Sequence, residues 1–170
     1  MIRAHDNGSS AQALERKNTL SGPVQELLSG LVGLPVSHAW NGYGSALFLE
    51  FGALQQSMKR DGSPRSPQGE MSLMIEWSWR IEDERSILCG SWSDEELWHR
   101  VFATLSGSRV SQVDLFGKLP EIHIGLSNGL QVLSFMTAEG FPAWTLFDRR
   151  HAQERWLGVE ENGLRITAKA

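Results

Sequence analysis

The motif that most closely matches a catalytic pattern is Gly-x-Ser-x-Gly at residues 125–129, with Ser127 at its centre. In hydrolases this spacing presents a nucleophilic serine on a tight turn, which needs a strand before it and a helix after it. Here residues 130–136 alternate apolar and polar side chains, which predicts a second strand. We therefore predict a hairpin about Asn128-Gly129 and no catalytic role for Ser127.

Histidine and cysteine spacings offer no support for a metal site. No two histidines stand four residues apart, and the single Cys89 has no Cys-x-x-Cys partner. The glycines form no Gly-x-Gly-x-x-Gly loop for a phosphate. No catalytic residue, metal ligand or cofactor is therefore assigned, and the balance is against an enzyme.

Charge is the one unevenly distributed property. Residues 70–96 hold eight acidic and two basic side chains, whereas the rest of the chain holds twelve acidic and fourteen basic ones. One interpretation is a docking surface for a basic protein, with Trp77, Trp79 or Trp92 as apolar anchors where they reach the surface. The other is that turns and helix starts favour carboxylates in any protein. The candidate binding residues are Glu82, Asp83, Glu84, Asp94, Glu95 and Trp92.

The strongest structural pattern is residues 71–81, which predict one long strand with a dry and a wet face. Each large apolar side chain buried there contributes about 1.5–3 kcal/mol. The six odd positions are all apolar: Met71, Leu73, Ile75, Trp77, Trp79 and Ile81.

Two helices are predicted, at about residues 22–32 and 94–106, from apolar spacings of three and four. For the second helix, Ser93 and Glu96 have the spacing of a capping box, and Trp92 and Leu97 that of a hydrophobic staple.

The other segments predict short strands joined by turns. Hairpins are expected at residues 36–51, at 121–136 with Ile124 opposite Leu133, and at 156–168. Residues 53–69 have no periodicity and are expected to be a mobile loop or a functional one. The fold class is α+β, with a curved, mainly antiparallel sheet or two packed sheets of about 8–10 strands. Residues 1–20 are expected to be a loose arm, and 21–170 a single domain.

Composition limits the compartment and the partners. A net charge of −4 is too mild to indicate nucleic acid or a membrane surface. One cysteine cannot form an internal disulfide, and no apolar run has the length of a membrane span or leader. We expect a cytoplasmic protein.

The combination of residues 44–52, Gly69-Glu70, 75–81 and Gly90-Ser91 resembles small uncharacterised bacterial α+β proteins. The resemblance covers about residues 44–92 and implies the fold class without assigning any site residue. Some bacterial proteins of similar size and acidity are immunity proteins, which neutralise a toxin domain, and that analogy suggests a function.

Two functions from different classes follow. The first is a non-enzymatic protein-binding module, of the immunity type, that uses the acidic surface around residues 70–96 to bind a basic protein. The alternative is a small-molecule-binding domain or enzyme with an aromatic-lined pocket within the sheet. A homo-oligomer formed through an edge strand is compatible with either.

Overall fold

The computed structural model describes residue 20 and residues 22–140, 143–161 and 163–169. The arm predicted for residues 1–20 therefore lies outside the described residues, apart from Leu20. None of the described helices has the length and hydropathy needed to cross a membrane.

The predicted α+β class is confirmed, and the described residues form two helices and eleven antiparallel strands. The number of strands is above the expected 8–10, partly because residues 71–81, predicted as one strand, contribute to two. The elements are α1 (Gly22–Ser29), β1 (Val36–Asn41), β2 (Leu47–Phe51), β3 (Met71–Ile75), β4 (Trp79–Glu82), β5 (Ile87–Gly90), α2 (Glu95–Leu105), β6 (Val110–Phe116), β7 (Glu121–Leu126), β8 (Gln131–Ser134), β9 (Trp144–Asp148), β10 (Arg155–Glu160) and β11 (Gly163–Ala168).

The strands form two sheets that share one hydrophobic core. The six-stranded sheet has the order β1-β2-β3-β9-β10-β11, and the five-stranded sheet has the order β5-β4-β8-β7-β6. Helix α2 packs against the edge strands β1 and β5, and α1 packs against the edge strand β6. The inward side chains of both sheets and the apolar stripes of both helices belong to the same buried cluster. The helices therefore lie at sheet edges, and the outer sheet faces have no helix over them among the described residues.

The prediction of one strand over residues 71–81 is wrong. β3 belongs to the six-stranded sheet and β4 to the five-stranded sheet, and residues 76–78 connect the two. Trp79 is fully buried, whereas Trp77 in the connection is 48% exposed. Both strands face the same core from opposite sides, so the apolar alternation continues through a change of sheet.

Helix α2 forms where predicted, but without the predicted cap. Ser93 Oγ accepts the Gly90 N–H at 3.0 Å instead of capping the helix. Asp94 occupies the N-cap position without a side-chain hydrogen bond to the helix. Trp92 is 90% exposed, so it does not form the expected hydrophobic staple with Leu97.

The β7–β8 hairpin is confirmed, with its register shifted by one residue. Ile124 lies opposite Val132, not Leu133, because the loop has three residues and is closed by a Leu126 N–H bond to Leu130. Gly129 adopts a φ of 86° at the end of this loop, a conformation that glycine favours. The shift places both Ile124 and Val132 in the core.

Residues 53–69 form an irregular ribbon that extends the β2–β3 hairpin. Gln55 and Gln68 exchange two backbone hydrogen bonds, of 2.8 and 3.0 Å. The Lys59 N–H donates to Ser63 O across the tip at 2.8 Å. The segment is thus held by its own backbone hydrogen bonds, although the regular pairing of β2 with β3 ends before it.

Candidate binding surface

Three segments of the chain meet at the buried side chain of Trp79. Its indole Nε1–H donates to the Ser45 carbonyl oxygen at 2.6 Å, and its own carbonyl oxygen accepts the Ser91 N–H at 3.0 Å. The ring also lies in tilted contact with Trp98 and Phe102, with centroid separations of 5.8 and 5.9 Å. Trp79 therefore connects the β1–β2 turn, the 76–78 connection and the segment before α2.

Each of these three segments carries an exposed aromatic side chain. Tyr43 is 103% exposed, Trp92 is 90% exposed and Trp77 is 48% exposed. Ser45 Oγ donates to the Trp77 carbonyl oxygen at 3.5 Å, which adds a second link between the turn and the connection. Because each aromatic residue is within two positions of a residue bonded to Trp79 or of Trp79 itself, the three lie at one end of the molecule.

Carboxylates occupy the same end. Glu76 precedes Trp77, and Asp94, Glu95 and Glu96 follow Trp92 at the start of α2; all four are exposed. In the described part of the chain, none of them forms an ion pair within 4 Å. We define the aromatic–acidic end as Tyr43, Trp77, Trp92, Glu76, Asp94, Glu95 and Glu96.

The predicted binding residues fall into two groups. Trp92, Asp94 and Glu95 belong to the aromatic–acidic end, whereas residues 82–84 lie in and before the β4–β5 turn. These groups are separated by the four residues of β5, which span about 13 Å at roughly 3.3 Å per residue. The acidic stretch 70–96 is therefore continuous in sequence but split in space.

Two of the three acidic side chains at the β4–β5 turn have internal partners. Glu82 Oε2 lies 2.6 Å from Arg80 Nε. Asp83 Oδ1 accepts the N–H groups of Arg85 and Ser86 at 2.8 Å, and these bonds hold the pKa of Asp83 below its ordinary value. Glu84 is exposed. This turn thus uses its charge mainly to hold its own conformation.

Tyr43 was not among the predicted binding residues, and Trp77 was predicted to act as an anchor only if its side chain reached the surface. Tyr43 stands in an Asn-Gly-Tyr-Gly turn, where a large aromatic side chain has no core to enter, and that context is a usable signal. The sequence could not show that Trp77 is exposed, because its position continues the apolar alternation of residues 71–81 and predicts a side chain on the dry face. Only the change of sheet at residues 76–78 exposes it.

A second cluster of charges surrounds Asp148, which is fully buried. Arg150 approaches both carboxylate oxygens, at 2.8 and 3.0 Å, and Arg155 Nη2 lies 3.0 Å from Oδ2. Burial by itself would raise the pKa of Asp148, but the hydrogen bonds from the two arginines outweigh it and hold that pKa far below its ordinary value. Arg155 also reaches Glu26 on α1 at 3.3 Å. The cluster links β9, β10 and α1, which is a structural role.

The remaining motifs have structural partners as well. Ser127 Oγ accepts the Arg109 N–H at 3.0 Å, and a strand, β8, follows the Gly-x-Ser-x-Gly turn. Among the described residues, no three His, Cys, Asp or Glu side chains come together as metal ligands would.

A recess with aromatic lining lies on the outer face of the six-stranded sheet. Its volume is about 410 Å³, and its lining includes Phe147, Trp156 and Arg165. Gly158 lacks a side chain in the middle of the recess, between Thr145 and Arg165 in the strand register. The aromatic side chains between the sheets, by contrast, belong to the packed core.

No model of a known protein family matches this chain, and no curated protein or solved structure matches it either. Support for a function comes from the chemistry of the surfaces described above.

Proposed function

We propose that this protein is a non-enzymatic protein-binding module that binds a basic protein through the aromatic–acidic end. The observation that carries the proposal is Trp92, which is 90% exposed and is followed by three exposed carboxylates at residues 94–96. Tryptophan is among the residues that most often supply the anchor of a protein interface.

The chemistry of the surface selects a cationic partner. Lysine and arginine side chains bind the faces of Trp and Tyr rings, at about 0.5–1 kcal/mol for an exposed pair, and carboxylates nearby add direct ion pairs. Glu76 and residues 94–96 provide those carboxylates around the aromatic rings. The rings then supply apolar area, while the charges steer the partner and increase its rate of association.

An immunity-type role in a bacterial cytoplasm is the setting we propose for this interaction, with a basic toxin domain as the partner. Buried Cys89 requires no oxidising compartment, and a negative chain suits the neutralisation of a positive one.

The test is capture of partners from a lysate of the native host, with the wild-type chain and three variants immobilised in parallel. Trp92→Ala and the double change Asp94→Lys with Glu95→Lys should each lose the basic protein that the wild type retains. Glu84→Lys is the control for charge reversal away from this end, because it reverses one exposed acidic charge at the opposite end of β5, where the double variant reverses two.

Binding of the captured partner is then measured by calorimetry at low and high salt. We expect the association to weaken as salt rises, and Trp92→Ala to weaken it by at least tenfold, as for an anchor residue. Equal loss in Glu84→Lys and in the double variant would show that net charge, not the aromatic–acidic end, determines capture.

A second candidate function, small-molecule binding, is favoured by the outer recess beside Trp156. A side chain at Gly158 would meet Thr145 Oγ1 at 3.5 Å, an ordinary contact, so Gly158→Leu should fold and fill the recess. A compound that raises the unfolding temperature of the wild type and not of Gly158→Leu would support this function. If no member of a metabolite panel stabilises the wild type, the recess is not a ligand site for those compounds.

A further inference from the structure

Three of the four edge strands of the two sheets are protected against pairing with another chain. β1, β5 and β6 each pair with their neighbour through a register shift. Helix α2 also packs against β1 and β5, and α1 packs against β6. A bulge bends an edge strand and a helix covers it, and both devices stop the addition of a further strand.

The fourth edge, β11, has neither device within the described residues. Its six residues pair with β10 without a register shift, and neither described helix makes an extensive contact with it, although Gln25 and Leu28 of α1 share a recess with Gly163 and Leu164 at its start. Its inward side chains Leu164 and Ile166 are half-buried, whereas Leu157 and Val159 on β10 are 0% and 3% exposed. β11 is thus a regular strand with one unpaired edge and incompletely covered apolar side chains.

We propose that β11 pairs antiparallel with β11 of a second copy of this chain, so that the two six-stranded sheets become continuous. One backbone hydrogen bond, next to the start of β10 and the end of β11, shows which N–H and C=O groups of β11 point away from β10. The Lys169 N–H donates to Glu154 O at 2.8 Å, and in an antiparallel pair such bonds recur at every second residue. Arg165 and Thr167 therefore bond to β10, and the N–H and C=O groups of Leu164, Ile166 and Ala168 point to the free edge.

Hydrogen bonding and charge select the same register. With the two-fold axis at Ile166, Ile166 lies opposite Ile166 and Leu164 lies opposite Ala168, and each of these pairs exchanges two hydrogen bonds. An axis at Arg165 would place two guanidinium groups opposite each other and would pair fewer of the outward-directed groups. The axis at Ile166 is the one about which all three outward-directed residues, Leu164, Ile166 and Ala168, pair with one another, which is why we assign a second copy as the partner of this strand.

The same register brings Thr167 of the second copy beside Arg165. Arg165 lines the outer recess and lies 3.0 Å from Glu160. In the dimer, each recess therefore continues onto the sheet of the other copy.

The first test is the mass of the full chain in solution over a range of concentrations, by analytical ultracentrifugation. Ala168→Pro removes an N–H that only the second copy uses, whereas Lys169→Pro, its matched control, removes an N–H bonded within the chain to Glu154. We expect Ala168→Pro to weaken dimerisation by about tenfold or more and Lys169→Pro to leave the dimer intact. Thermal unfolding checks that both variants fold. A wild-type chain that stays monomeric at high concentration, or a dimer that Ala168→Pro leaves unchanged, overturns the proposal.

The second test reads the register by disulfide formation. In the proposed pairing, residues 165 and 167 of the two copies face each other as a non-hydrogen-bonded pair, with Cα atoms about 4.5 Å apart, within the range of a disulfide. A mixture of Arg165→Cys and Thr167→Cys chains should give a cross-linked dimer with one of each, identified by mass spectrometry. Preferential self-linking of Arg165→Cys chains would show an axis at Arg165 and refute the register.

Discussion

The indole nitrogen of Trp79 lies 2.6 Å from the carbonyl oxygen of Ser45, and this bond joins the two sheets at the end where Trp77 and Tyr43 are exposed. Ser45 precedes β2 of the six-stranded sheet, and Trp79 begins β4 of the five-stranded sheet. A fully buried N–H needs such a partner, since an unpaired polar group in the core costs about 1–3 kcal/mol. The same pair that stabilises the core thereby positions the surface we propose for binding.

Trp79→Phe keeps an aromatic ring but removes the donor to Ser45. We expect the free energy of unfolding to fall by about 2–4 kcal/mol, because a carbonyl loses its partner and a cavity forms beside Trp98 and Phe102. Urea unfolding measures the change. Trp92→Phe is the control, since its side chain is 90% exposed and its effect should stay within about 0.5 kcal/mol. Equal stabilities of the two variants would contradict the role of Trp79.

Asp148→Asn removes the buried carboxylate charge that pairs with Arg150 and Arg155. At pH 7 we expect a loss of about 3 kcal/mol in the free energy of unfolding, the low end for a buried ion pair because both arginines are partly exposed. Glu160→Gln, which breaks a pair with exposed Arg165, should change it by less than about 1 kcal/mol.

The effect of Asp148→Asn should depend on pH in one direction. The pKa of Asp148 is lowered in the folded protein, so its contribution is complete above the unfolded-state value of about 3.9 and is lost as the pH falls towards the folded-state value. Urea titrations from pH 7 down to pH 2.5 should show the wild type losing its advantage over the variant below about pH 4. An advantage that increases as the pH falls would contradict the assignment.

Cys89 should be unreactive while the protein is folded. The side chain is 2% exposed, and burial raises the pKa of its thiol to about 12, so little thiolate is present at pH 8. A colorimetric thiol reagent should modify Cys89 slowly in buffer and rapidly in denaturing urea. Equally fast modification in both conditions would show that the strand β5 opens in the native state.

Two glycines with positive φ should differ in their tolerance of alanine. Gly52 has a φ of 78°, and a Cβ there would collide with the Glu70 carboxylate, which accepts the Ala53 N–H at 2.8 Å. Gly44 has a φ of 65° and open space around it. We expect Gly44→Ala to cost about 1 kcal/mol from backbone strain alone, and Gly52→Ala about 2–4 kcal/mol. Thermal or urea unfolding compares the two, and similar costs would mean that Glu70 moves aside freely.

The sequence by itself determined the local elements. Both helices were predictable from apolar spacing, and the β1–β2 and β10–β11 hairpins from alternation on either side of turn residues, because these signals are contained within a few neighbouring residues. The exact pairing of β7 with β8 was not, since a three-residue loop and a two-residue loop differ by one register step and share the Asn128-Gly129 signal. The fold class followed from the number and order of these elements.

The tertiary structure alone decided which sheet each strand joins and which side chains remain outside. Residues 71–81 alternate without a break, yet β3 and β4 lie in different sheets, and Trp77 is exposed where Trp79 is buried. Alternation reports which face of its own strand a side chain occupies, but it carries no information on which other strands lie across that face. The aromatic–acidic end, assembled from three segments through Trp79, and the unprotected edge of β11 both depend on that long-range choice.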